Sequence, residues 1–271
     1  GTITRGSKVR FLREGTINPR PQVRVVSESP TTAVLDGDGG LGYFVAHQAA
    51  EMAIAKAVDQ GVGVATTGNH YHFGAAGIYT RMALEHDCIG LAISSHRLLR
   101  DAEATVLSAM GVSPLSVAVP TATQPPLVLD MGAQMLPADP QLMEQLPGAF
   151  FKVLGLGSVL HALGGILAGI QKSELVDADR GLGRQQGAFI AAFAVDRLMP
   201  VQDFKLEMDR YVGEARATKP FPGMDRAELA GGMEWVWERE NAEQGILVGA
   251  EHRQVLEEVA AVVGIDDPFD D

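Results

Sequence analysis

The chain has 271 residues, 46% hydrophobic and 21% charged, with a formal net charge of −12 and a pI near 5.0. This balance supports a compact folded body, of one large domain or two ordinary ones, and excludes wholesale disorder; the acidic surface and the lack of a Lys/Arg stripe exclude nucleic acid as an expected partner. The single cysteine, Cys88, rules out an intrachain disulfide and a cysteine-based metal cluster, and its apolar setting reads as a buried, inert thiol.

In chain order, the first clear element is "VAHQAAEMAIAKAVDQGVG". Apolar or small residues recur at Val45, Ala49, Met52, Ala53 and Ala57, and Gly61 closes the pattern, which predicts a helix. "VGVATT" follows as a short buried strand, then the loop "GNHYHFGAAG" and a second helix from about Ala76. Further strands are expected at "CIGLAIS", "LSVAVP", "PLVLDM" and "GAFIAAFAV", and amphipathic helices at "VQDFKLEMDRYVGEARA" and after Asp225. The order is mixed and is not a clean βαβ alternation. "VLGLGSVLHALGGILAGI", residues 153–170, has no formal charge but is rich in glycine and carries His161; it reads as a buried helix, and no membrane span is expected. The Pro-rich breaks are too short for flexible linkers, and no repeat is visible. With no basic, hydrophobic leader at the start, the expected compartment is the cytoplasm.

Several stretches compete as sites. His70 and His72 are two apart and would face the same way on an extended segment, as metal ligands must, but no third ligand stands at matching spacing. The same Gly- and Asn-rich loop suits a phosphate or carboxylate, because backbone N–H groups converge where a strand gives way to a helix. A tight turn whose histidines bond to neighbouring backbone is the plainer alternative. "FFKVLGLGSVLHALGG" offers a rival dinucleotide turn, with Gly155, Gly157 and a distant Glu174, but Leu160 stands where the third glycine belongs. "VLDGDGGLG", residues 34–42, lacks the ligand series of a calcium loop and reads as a turn leading into the first helix. No GxSxG, HExxH or Walker motif occurs.

"GTINPRP" at 15–21, "VLDGDGGLG" at 34–42, "HFGAAGIY" at 72–79, "PLVLDM" at 126–131, "QGAFIAAFAVDRL" at 186–198 and the C-terminal "GGMEWVWERENAEQGILV" follow one another along nearly the whole chain. In this order they resemble the type-2 malate/L-lactate dehydrogenases, a family that includes ureidoglycolate and sulfolactate dehydrogenases and piperideine-2-carboxylate reductase. The resemblance implies a mixed α/β fold of non-Rossmann type, a sheet with surrounding helices, and a homodimer. It also implies NAD or NADP as cofactor and hydride transfer between a small 2-hydroxy acid and a 2-oxo acid, or reduction of a cyclic imine acid. Residues 1–62 with 196–271 would form a helical, dimerising part and 63–195 the cofactor-binding part.

In the same light, His72 and Arg5 are the expected catalytic residues, with Arg5 matching the family's carboxylate-binding arginine. Asn69, His70, Gly74, Ser94, Ser95, Ser113, Pro114 and Asp130 are the expected cofactor-binding residues. The chain also departs from the pattern. The family's Ser-His-Gly motif would end at about Gly1, so its histidine general acid is absent from this chain. Ser94-Ser95-His96 replaces the usual Thr-Asn, and Gly111-Val112-Ser113-Pro114 replaces Gly-Thr-Asn-Pro, removing side-chain amides. A loop is shortened between Met131 and Phe150, and "LGLGS" stands for the family's Lys-Gly-Tyr segment. These departures leave a non-redox enzyme or binding protein on the same scaffold as the alternative expectation, and native residues upstream of Gly1 as a third.

Overall fold

The computed structural model describes residues 11–97, 103, 105–171, 186–266 and 269. Seven strands form one mixed sheet: β1 (Arg24–Glu28), β2 (Thr32–Asp36), β3 (Val62–His70), β4 (Cys88–His96), β5 (Pro114–Val119), β6 (Leu127–Gly132) and β7 (Gln186–Ala194). Their spatial order is β1-β2-β3-β7-β4-β5-β6. Only β2 and β3 are parallel, and every other neighbouring pair is antiparallel. The sheet therefore crosses residue 62, since β1 and β2 precede it and β3 follows.

Helix α1 (Gly42–Gln60) lies on the sheet through Val45, Ala46, Ala49, Ala50, Ala53 and Ala57, the face that the apolar spacing predicts. It stops where Gly61 takes φ +91° and returns its N–H to the Ala57 carbonyl at 2.7 Å. The alanine face lets helix and strand approach so closely that a Cβ on Gly63 would stand 1.9 Å from the Ala53 carbonyl oxygen. Leu35, Val45, Phe73 and Ile190 fill the same core, each contributing about 1.5–3 kcal/mol by leaving water. Strand β7 forms the middle of the sheet with small buried residues, Gly187, Ala188, Ala191 and Ala192, so a layer can pack on each of its faces.

Four expectations need correction. Residues 34–36 are not merely a lead-in to α1: Thr32–Asp36 is a strand, with β1 beside it. Its character comes from pairing with β3, since five residues with alternate ones exposed give little local signal. Strand β3 runs past Thr67 to His70, through the first three residues of the expected loop. The expected second helix, α2 (Gly77–Met82), lasts six residues before a 3-10 turn at Ala83–His86. The run before Gly155 is not strand-like. After the short α3 (Pro140–Gln145), α4 spans Pro147–His161, which removes the strand that a dinucleotide turn requires.

Helix α4 continues into a π-helical turn, Ala162–Ile166. Among the described residues, Pro147–Ile166 is the one helix long and apolar enough to cross a membrane by length and composition. It is buried on one face only: Phe150, Val153, Gly157, Leu160 and His161 point inward, while Phe151 is 71% exposed and Val159 56%. The amphipathic α5 (Val201–Arg216) and α7 (Ala250–Val263) follow where expected, and between them α6 (Gly232–Gln244) is a helix without a distinct apolar face.

Candidate active site

The carboxyl ends of parallel β2 and β3 lie side by side, with Asp36 opposite Gly68, so the two loops leaving them must meet. Backbone bonds join them: Gly37 N–H to the Gly68 carbonyl at 2.9 Å, Gly39 N–H to Asn69 at 2.8 Å, and Tyr71 N–H to Gly40 at 2.9 Å. Asn69 takes φ +54°, and its side-chain amide donates to Asp36 Oδ1 at 2.9 Å, an oxygen that also accepts the Asp38 N–H at 2.7 Å. Asp38 accepts in turn from the Asn18 amide at 2.9 Å and the Gln22 N–H at 3.1 Å. The acid–glycine run is thus a loop brace.

The histidine pair divides into two environments. Along β3 the buried positions alternate through Gly63, Ala65 and Thr67, then an irregularity between Thr67 and His70 changes the parity. His70 consequently turns inward and is fully buried. Its Nδ1 donates to the Tyr71 carbonyl at 2.7 Å and its Nε2 accepts from the Thr67 hydroxyl at 2.9 Å. Burial lowers its pKa to about 4 against the opposing Tyr71 bond, so it is a neutral core imidazole. His70 thus points inward with both ring nitrogens bonded, whereas His72 lies outside, so the two rings do not face the same way.

His72 is exposed. The Gly74 N–H donates to its Nδ1 at 3.1 Å, so the neutral ring carries its proton on Nε2. Tyr43 stands edge-on with ring centroids 6.4 Å apart. Gly74 must be glycine, since it has φ +89° and a Cβ would fall 2.6 Å from Tyr43 Cε1. Beyond it, the Tyr79 hydroxyl donates to the Phe73 carbonyl, and Asp130 Oδ2 accepts the Gly77 N–H at 2.8 Å.

Three serines expected at the cofactor also face inward. Ser94 Oγ donates to the Gly187 carbonyl at 2.8 Å. Ser113 Oγ donates to Ser95 Oγ at 3.0 Å, and Ser95 Oγ lies 2.8 Å from His161 Nδ1. All three are buried, because the π-turn after α4 presses Gly164 onto the backbone of Ser94. In this structure they serve as core hydrogen-bonding groups. His161 gains its Ser95 partner from the tertiary fold. Its spacing from Val153, Gly157 and Leu160 places it on the inward face of α4, and that was the available signal. Pro114 opens β5 opposite Gly132 and is partly buried. Arg5 lies outside the described residues.

Beside the His72 loop is a cleft of about 460 Å³, bounded by Ala75, Gly77, Ile78 and Arg81, by Val128 to Asp130 on β6, and by Gly231, Met233, Glu234, Trp235, Trp237 and Glu238 of α6 and its entry. The Val128 N–H donates to the Ala230 carbonyl at 2.9 Å and draws this segment to the sheet edge. Arg81 bonds Glu238 across the cleft at 2.7 Å. Burial raises the Asp130 pKa, the Gly77 N–H opposes that, and Glu234 adds to it. Motif reading missed Glu234, Trp235 and Arg81 as cleft residues, because their positions give no local sign of meeting.

Comparison with known proteins places this geometry. The family model for malate/L-lactate dehydrogenase matches residues 4–138 and 132–257. The chain is 26% identical over 290 aligned positions to a malate dehydrogenase of Pyrococcus horikoshii, covering 93% of this chain and 80% of that one. It is 49% identical over 87 positions to an L-sulfolactate dehydrogenase of Methanocaldococcus jannaschii, covering 32% of this chain and 25% of that one. The solved Pyrococcus horikoshii structure superimposes with a TM-score of 0.82 over 96% of this chain and 82% of its own, at 26% identity. The chain belongs to the malate/L-lactate dehydrogenase family and is an enzyme, an oxidoreductase of its mixed α/β fold.

Proposed function

We propose that the protein is an NAD- or NADP-dependent dehydrogenase that interconverts a small 2-hydroxy acid and its 2-oxo acid, or reduces a cyclic imine acid, with His72 at the reacting centre. The observation that carries this reading is the exposed His72 imidazole, held by the Gly74 N–H in the tautomer with its proton on Nε2. When bound, a nicotinamide supplies the hydride that adds to the substrate carbon. The substrate oxygen then needs a hydrogen-bond donor or proton source, and the His72 Nε2–H has that character. Arg5 is proposed to bind the substrate carboxylate. The names of the relatives make malate and sulfolactate, and their 2-oxo counterparts, the first substrates to try.

The assigned residues fit a cofactor in part. His70, Ser94, Ser95 and Ser113 are spent on internal hydrogen bonds, so they support the cleft from behind. Asn69, Gly74 and Pro114 retain some exposure and are the proposed contacts. We further infer a cytoplasmic homodimer, for which the exposed Leu198, Phe221, Ile246 and Leu247 provide apolar surface. Residues 1–62 with 196–271 are proposed as its dimerising part and 63–195 as the cofactor-binding part.

Thermal unfolding with NADH and NADPH, followed by turnover of oxaloacetate, sulfopyruvate and a cyclic imine acid, tests the reading. A stabilising shift with one nicotinamide, turnover of one substrate and a loss of roughly 10²-fold or more in kcat for His72→Gln are expected. No shift with either nicotinamide and no turnover would reject it. The inward serines favour a second reading in that event, a family member whose scaffold serves binding or non-redox chemistry.

A further inference from the structure

We propose that Asp130 is a positioning residue: through the Gly77 N–H it anchors the segment that presents His72 and maintains the imidazole's hydrogen-bonding state. This inference rests on the role proposed for His72, and it gives Asp130, expected from the sequence at the cofactor, the part of a tether.

The chain of contacts is short. Gly77 begins α2, and its N–H reaches Asp130 Oδ2 on β6 at 2.8 Å, across 53 residues of sequence. The approach is close: a Cβ on Gly77 would lie 2.7 Å from that oxygen, so a side chain there would displace the carboxylate. A second tie joins the same helix to the sheet, between the Thr80 and Ser116 hydroxyls at 2.8 Å. Ser116 lies opposite Asp130 in the β5–β6 pairing. From the anchored helix, the Tyr79 hydroxyl holds the Phe73 carbonyl, and the Tyr79 N–H bonds Ala76 at 3.2 Å. Phe73 to Gly77 is thus fixed at both ends, and between them the Gly74 N–H is aimed at His72 Nδ1. Releasing Gly77 frees the start of α2, and the Gly74 donor loses its direction. A carboxylate placed beside Glu234 and partly out of water is a costly anchor, and a neutral amide oxygen at the same place would also accept the Gly77 N–H.

The experiment compares Asp130→Ala, Asp130→Asn and Gly77→Ala with the wild-type chain. Imidazole ¹⁵N NMR is the first readout, with His72 assigned by its loss in His72→Gln. The native chain and Asp130→Asn are expected to show His72 with Nδ1 as acceptor and the proton on Nε2. Asp130→Ala and Gly77→Ala, the latter keeping the carboxylate but pushing it away, are expected to shift toward mixed tautomers. Unchanged His72 signals in either of these two folded variants would overturn the proposal. The second readout is a double-mutant cycle on turnover. Asp130→Ala should lower kcat roughly tenfold or more, with little change in cofactor KM, and the loss should vanish in the His72→Gln background. Additive losses, or an effect confined to cofactor KM, would return Asp130 to a cofactor role. If His72→Gln itself leaves turnover intact, the function proposed for His72 fails, while the NMR result still decides whether Asp130 positions the ring.

Discussion

Replacing Ser95 with alanine probes the buried polar chain between β4 and α4. The substitution removes one oxygen that serves two partners, His161 Nδ1 at 2.8 Å and Ser113 Oγ at 3.0 Å, at a position 1% exposed. Ser113 retains the Met110 carbonyl as acceptor at 3.3 Å, whereas the bond between Ser95 and His161 is lost. Two buried bonds removed at about 1 kcal/mol each give an expected destabilisation of about 2 kcal/mol. Ser94→Ala is the internal standard, because Ser94 gives a single bond to the Gly187 carbonyl and should cost about 1 kcal/mol. Urea midpoints at unchanged slope measure both. The double variant Ser95→Ala/His161→Leu should cost less than the sum of its single changes by about 1–2 kcal/mol, since no buried partner is left behind. If Ser95→Ala proves no more harmful than Ser94→Ala, or the double variant is simply additive, the chain is not an energetic unit.

Other expectations concern pH and packing. His70 is neutral in the fold with a pKa near 4, against 6.5 when unfolded. The unfolded chain therefore binds the extra proton, and stability is complete above about pH 6.5 and declines by up to about 3 kcal/mol as pH falls toward 4. Unfolding followed across that range should show the decline, and His70→Asn should flatten it; an equally steep variant would mean that other groups cause it. At Asp209, burial acts upward, but the Thr123 hydroxyl and the backbone N–H groups of Gln124, Thr123 and Ala122 prevail and hold the pKa below its usual 3.8. The stability contributed by this clamp between α5 and the 121–124 loop is present above that value and is lost as pH falls through the lowered one. Asp209→Asn should lower the thermal midpoint at neutral pH, and by less under strongly acid conditions. Gly63→Ala drives a Cβ into the Ala53 carbonyl, whereas a Cβ on Gly155, in exposed helix, meets nothing within 4 Å. The first should destabilise by roughly 3 kcal/mol or more and the second stabilise by about 0.5–1 kcal/mol, opposite signs that equilibrium unfolding reads directly.

The sequence by itself determined α1, β4 to β7 and the amphipathic α5, because one-sided burial imprints a period of 3.6 or 2 on consecutive residues. It also determined the family, through motifs whose order survives along the chain. The tertiary structure alone decided which histidine of the pair is buried. Simple alternation after Thr67 would bury Asn69, and only the irregular pairing of β3 with β7 sends His70 inward and leaves His72 outside. Likewise, Ser95, Ser113 and His161 became one hydrogen-bonded group because α4 and its π-turn fold over β4. The cleft joins Arg81 to Glu238 across 157 residues. Such meetings depend on strand order and close packing, which are properties of the whole chain, and no local run of residues carries them.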